Sequence, residues 1–167
     1  MNKYVYFDAF HGDYWPAIDQ LKPYFFTPPG EAWFDTGGND SASIKLEGID
    51  GTEHMRLGFG RKDIHLYMWG NRGLGVLLQY ARIGGGVPRQ DWFSKGDMSK
   101  SRQWVRSLHD TPLPIGLFIP FDRAWLAVKE FMETEGKLPS SIEWIKNSDL
   151  PDGTFPDPTV RLTGEDD

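Results

Sequence analysis

The chain has 167 residues, a length that suits one domain around one core. It contains no cysteine, which excludes a disulfide framework, a thiol nucleophile and a zinc site with sulfur ligands. Its net charge of -6 is unevenly spread: residues 1–60 carry -5, residues 61–110 carry +5 and residues 111–167 carry -6, so acidic outer thirds flank a basic centre rather than forming the dominant basic face of a nucleic-acid binder.

The start, Met1 to Asp8, lacks the apolar stretch and cleavage site of a signal peptide. No run approaches the roughly 20 apolar residues of a membrane-spanning helix. A cytoplasmic location with no membrane partner is the expectation. A first strand is expected over Lys3 to Phe7. Tyr14 to Leu21 suits a short helix, with Asp13 as N-cap and Pro16 in the first turn. Pro23, Pro28, Pro29 and Gly30 then predict an irregular connection.

The clearest pattern runs from Ser43 to Ile83. Ser43 to Glu47 and Glu53 to Phe59 alternate polar and apolar residues, followed by Ile64 to Trp69 and Leu74 to Ile83. The turn residues Gly48 to Gly51, Gly60 to Asp63 and Gly70 to Gly73 separate them, which predicts an antiparallel meander. A turn centred on Arg61 and Lys62 sets Phe59 against Ile64, Leu57 against Leu66 and Met55 against Met68, gathering the apolar residues on one face. His54, Arg56, His65, Tyr67 and Trp69 then occupy the other face. Asp91 to Lys100 reads as a loop carrying Trp92, Trp104 to Leu108 as a strand, and Thr111 to Phe121 as extended.

The best helix signal follows Phe121. Asp122 suits an N-cap, Phe121 is placed to staple onto Leu126, and Ala124, Val128, Phe131 and Met132 recur at helical spacing. Gly136 and Pro139 end the helix, and Ser141 to Ile145 reads as a last strand. Beyond Asp149, the Pro- and Asp-rich tail reads as flexible. The expected fold is therefore α+β: a single domain over 1–150, an antiparallel meander sheet of about five to six strands with a C-terminal helix packed on it, and a tail over 151–167.

Signs of chemistry are few. The four histidines have neither H-x-x-x-H nor HExxH spacing, so no metal site is expected. Gly70 to Gly75 resembles a phosphate loop only superficially, because a strand and not a helix follows it. No G-x-S-x-G elbow occurs. The expectation is a non-enzyme without cofactor. The 7 Trp, 6 Tyr and 11 Phe instead serve core and interface alike.

The segment FDRAWLAVKEFMETEGKLPSSIEW, Phe121 to Trp144, resembles the ending of the first-numbered immunity family of bacterial polymorphic toxin systems. There a helix with an internal aromatic passes through a polar turn and a proline into a strand ending in Trp, and the similarity extends over roughly residues 40–146. The resemblance implies an α+β protein made beside a toxin gene, one that binds and neutralises that toxin by occupying its active site or substrate surface. Toxins paired with the family include deaminases acting on nucleic acid. A basic toxin cleft would complement the acidic thirds of this chain. The toxin-contact set expected on that basis is Asp13, Trp15, Asp35, Asp50, Glu53, Tyr67, Trp69 and Trp92. The competing classes are a small-molecule or glycan-binding module, with Trp69 and Trp92 stacking on the ligand, and a hydrolase using a carboxylate pair.

Overall fold

The computed structural model describes residues 1–34 and 40–156. In chain order its strands and α-helices are β1 (Asn2–Phe7), β2 (Phe10–Gly12), α1 (Ile18–Leu21), α2 (Pro23–Phe26), α3 (Glu31–Phe34), β3 (Ser41–Glu47), β4 (Lys62–Asn71), β5 (Gly75–Gly84), β6 (Gln90–Ser94), β7 (Trp104–Arg106), β8 (Pro112–Pro114), β9 (Phe118–Ile119), α4 (Phe121–Glu133) and β10 (Trp144–Lys146). One antiparallel sheet has the order β10-β6-β5-β4-β3-β1-β2, with β9 pairing to the start of β5, while β7 and β8 form a separate hairpin. This is the expected α+β architecture, with short edge strands added to the meander.

β4 and β5 lie at the centre of the sheet, and β5 is buried from Gly75 to Ala81. Burial on both faces explains why Val76, Leu77 and Leu78 form an unbroken apolar run. On one face, Ile44, Leu66, Leu78 and Tyr80 pack with Ala124, Val128 and Phe131 of α4 and with Leu21, Phe25 and Trp33 of the short helices. On the other, Tyr67, Trp69, Leu77 and Phe93 pack with Leu113, Leu117 and Phe118. Ser94 ties this back layer down: its Oγ donates to the Leu117 carbonyl at 2.6 Å and accepts from the Leu78 amide at 2.9 Å.

α4 buries the stripe expected of it, but its start differs. Pro120 is the N-cap, so Phe121 and Asp122 lie inside the first turn. Phe121 turns onto Trp33, with ring centroids 6.3 Å apart, and Leu126 remains 46% exposed, so no staple joins them. The helix ends as expected near Gly136, whose φ of +96° lets its amide return to the Phe131 carbonyl at 3.0 Å.

The largest correction concerns Glu53 to Phe59. These residues form turns and face solvent, and β3 pairs with β4 directly, with Ile44 opposite Leu66 and Leu46 opposite Ile64. Ala42, Ile44 and Leu46 supply the same alternation as Met55, Leu57 and Phe59. The positive φ values at Gly48, Asp50, Gly51, Gly58 and Gly60 curl the second stretch into a loop.

Other elements are shifted. The expected helix from Tyr14 is only α1, entered from an extended Ala17, so Asp13 caps nothing there. α2 occupies part of the stretch expected to be irregular, with Pro23 in its first turn. Asp91 to Ser94 belongs to β6 and pairs with β5, with Tyr80 opposite Trp92. The extended stretch after Thr111 becomes β8, a 3-10 turn over Ile115–Leu117, and β9. In the tail, Thr154 is buried, its carbonyl accepts from the Trp104 indole at 2.8 Å, and Phe155 lies 5.5 Å from Phe93. Residues 157–167 lie outside the described residues.

Candidate functional site

The back layer covers the sheet only partly. Over β1 and β3 the same face stays open, and a cleft of about 590 Å³ runs across it. Strand register dictates its floor. Val5 and Ile44 point into the α4-side core, so their neighbours Tyr4, Tyr6, Ser43 and Lys45 face the opposite way. Tyr6, Ser43 and Tyr67 form one cross-strand row, and Tyr4, Lys45 and His65 form the next. His11 and Asp13 give one wall and Ser107, His109 and Thr111 the other. The second wall is anchored by Asp40, whose Oδ2 accepts from the Leu108 amide at 3.0 Å.

The floor is suited to binding. Lys45 Nζ lies 5.5 Å from the Tyr67 ring centroid, and Tyr6 meets His11 edge-on at 5.5 Å. Burial, then the charges of Glu47 and Asp13, raise the Tyr4 phenol above its ordinary value, so it remains a hydrogen-bond donor. His65 Nδ1 is 2.6 Å from the Tyr67 hydroxyl, while its buried Nε2 has no hydrogen-bond partner among the described residues. Burial, followed by the charges of Lys45, Arg89 and Arg61, pushes His65 down to about 3. Its neutral imidazole therefore adds no cation to the floor at neutral pH.

Glu47, Asp63 and His65 bring ligand-type atoms within 4.8 Å of one another beside the cleft. Arg61 already lies among them. Its Nε and Nη2 donate to Asp63 at 3.0 and 2.9 Å, and Nη2 approaches Glu47 at 3.6 Å. Hydrogen bonding to Asp63 raises the Arg61 pKa further. The guanidinium thus supplies the positive charge these carboxylates face, and the group acts as a structural ion-pair cluster.

Of the contact set expected from sequence, Asp13, Tyr67 and Trp69 line the cleft, although Tyr67 and Trp69 are largely buried by the back layer. Trp92 is in the α4-side core, on the opposite face of the sheet. Asp50 and Glu53 lie on the β3–β4 loop, paired with Lys62 at 3.7 Å and with the N-terminal amine at 3.3 Å. Asp35 lies outside the described residues. Trp15 packs on Phe131, with centroids 5.6 Å apart, and its indole N–H is shared between the carbonyls of Tyr4 and Lys45 at 3.1 and 3.2 Å. It thereby ties the segment between β2 and α1 to the paired strands β1 and β3. Trp15→Phe keeps the ring and removes the donor, so it is expected to lose about 1 kcal/mol of stability. Urea unfolding checks this, and an unchanged midpoint would refute it.

Tyr4, Tyr6, His11, Ser43 and Lys45 were absent from the expected set. Their signal was present in the alternation Tyr4-Val5-Tyr6-Phe7, which places both tyrosines opposite Val5 and Phe7.

A family model described as "Immunity protein Imm1" matches residues 50–146, more than half of the chain. The chain belongs to the Imm1 immunity family. The match begins in the β3–β4 loop and includes β4 to β6, α4 and β10. Two curated plant proteins from Tripterygium wilfordii, the chloroplastic (-)-kolavenyl diphosphate synthases TPS28 and TPS14, are each 46% identical over 44 residues. That stretch covers 25% of this chain and 5% of each synthase. No solved structure matches. Among the described residues, no helix is long and apolar enough to cross a membrane.

Proposed function

We propose that this immunity protein neutralises a nucleic-acid-targeting bacterial toxin, a deaminase or nuclease of a polymorphic toxin system, by seating its open sheet face over the toxin's active site. It does so in the cytoplasm, by steric and electrostatic occlusion and without catalysis. The observation that carries this reading is the half-uncovered sheet, whose cleft presents the exposed Tyr6 and the half-buried Tyr4 above the more deeply set Ser43, Tyr67 and Ser107. Tyrosine and serine are the residues protein-binding surfaces favour. The ring gives large contact area at low conformational cost, and the hydroxyls adapt to a partner's polar groups. Asp13 at the wall and the acidic outer thirds complement a basic cleft of the kind that holds nucleic acid.

A standard interface of about 1,600 Å² in total is wider than one cleft, so the toxin also covers the rim. Tyr6 is 46% exposed, which allows its removal without opening the core. Co-expression with the toxin gene adjacent to this one tests the reading. Wild type should restore growth, whereas Tyr6→Ala combined with Asp13→Lys should weaken binding by roughly 30-fold or more, the scale of a hot spot, and lose rescue. Full rescue by that double variant would remove the cleft from the interface.

A further inference from the structure

The loop between β3 and β4 presents a second surface. Every residue from Glu53 to Phe59 is exposed, including three large apolar side chains: Met55 at 39%, Leu57 at 45% and Phe59 at 72%. Val87, 65% exposed, stands on the adjoining β5–β6 turn, where the Gly85 amide donates to the Arg61 carbonyl at 3.2 Å.

The loop is held in this form from within. Ile49 packs against the α4-side core, and the amides of Gly48 and Ile49 both donate to the Lys62 carbonyl at 2.9 Å. Thr52 Oγ1 donates to the Ile49 carbonyl at 2.7 Å and accepts from the Lys62 amide at 3.0 Å. The Met55 amide reaches the Thr52 carbonyl, and the amides of Phe59 and Arg61 both reach the Arg56 carbonyl. Arg56 lies 4.9 Å from the centroid of the Phe59 ring. A loop fixed by its own hydrogen bonds thus holds its apolar side chains in water, an arrangement that benefits a complex and not a monomer.

Charge identifies the occupant. Both acids of the loop are already paired, Asp50 with Lys62 and Glu53 with the N-terminal amine, which leaves Arg56 as the charged side chain of the Met55–Phe59 stretch, with the exposed His54 just before it. An isologous dimer through this patch would bring together two copies of the same Arg56-bearing surface and two chains of net charge -6. A partner with an apolar pocket and a carboxylate at its edge fits. The loop follows directly on β3, whose last residue, Glu47, lines the cleft, so a partner seated over the cleft's Glu47 end lies within one strand end of the loop.

We propose that the Met55–Phe59 loop is a second docking element for the cognate toxin, with Leu57 and Phe59 entering an apolar pocket and Arg56 pairing with a toxin carboxylate. The proposal rests on the immunity reading above.

The test is calorimetric titration of the purified full chain with a catalytically inactive form of the toxin encoded by the adjacent gene. Leu57→Ser combined with Phe59→Ser should weaken binding about 100-fold, and Arg56→Glu about 10-fold, each with the unfolding midpoint of the free protein unchanged. Binding by the double variant within about twofold of wild type, alongside a loss for the cleft variant, would overturn the loop proposal and leave the immunity reading intact. Failure of wild type to bind would overturn both. A wild-type dimer in light scattering that the double variant converts to monomer, with toxin affinity retained, would assign the patch to a second copy and also overturn the proposal.

Discussion

As the pH falls below 6.5 the folded protein is expected to lose stability through His65, at a slope that approaches about 1.4 kcal/mol for each unit of acidification. The unfolded chain takes up a proton on this imidazole near its ordinary value of 6.5, whereas the folded state does so only near 3. Within that window the unfolded state binds more protons, so stability rises with pH. The contribution is complete above 6.5 and is lost progressively as the pH falls. The cause is local: the ring is buried with Nε2 unpartnered among the described residues, and Lys45, Arg89 and Arg61 oppose a further cation. Urea unfolding of wild type and His65→Gln over about pH 7 to pH 5 checks this. The variant should show a flatter profile, and identical slopes would overturn it.

The central hairpin and α4 were legible because their signals are local. Asn71 to Gly75 has a short turn between two long apolar strands, and Ala124, Val128 and Phe131 repeat at the helical period. Glu53 to Phe59 misled because alternation reports that one face is apolar and says nothing about what covers it. Two stretches offered β4 an equally good apolar stripe, and the glycines at 58 and 60 decided between them.

Trp92 shows the same limit from the other side. Its exposure could not be read without knowing that β6 pairs with β5 and turns the indole toward α4. Half of the cleft was readable from β1, where Val5 and Phe7 orient Tyr4 and Tyr6. Its second wall depends on Asp40 holding Leu108, a contact across 68 residues with no local trace. The Arg61–Asp63 pair lay in plain view as a turn, yet its burial followed only from the register of β3 against β4.

That buried pair leads to the largest single-residue effect expected. Asp63 is 2% exposed, and its carboxylate is shared by two elements. Oδ1 accepts from the Gly48 amide at the end of β3 and from Arg61 Nε, and Oδ2 accepts from Arg61 Nη2. Asp63→Ala removes one of the Gly48 amide's two acceptors, leaving the Lys62 carbonyl at 2.9 Å, and leaves the Arg61 guanidinium with Glu47 at 3.6 Å as its remaining carboxylate among the described residues, so a loss of about 3 kcal/mol is expected, the lower end for breaking a buried ion pair. Asp63→Asn preserves shape and one acceptor oxygen and should cost less. Because Gly48 and Arg61 bracket the loop, amide exchange over residues 49–60 should accelerate in Asp63→Ala more than exchange in α4. Affinity for the toxin should fall in parallel, although Asp63 itself is shielded from any partner. A variant that unfolds earlier yet keeps slow exchange in the loop would show that the Met55–Phe59 surface is held by Thr52 and the Lys62 carbonyl alone. Asp63 would then matter to the core and not to docking.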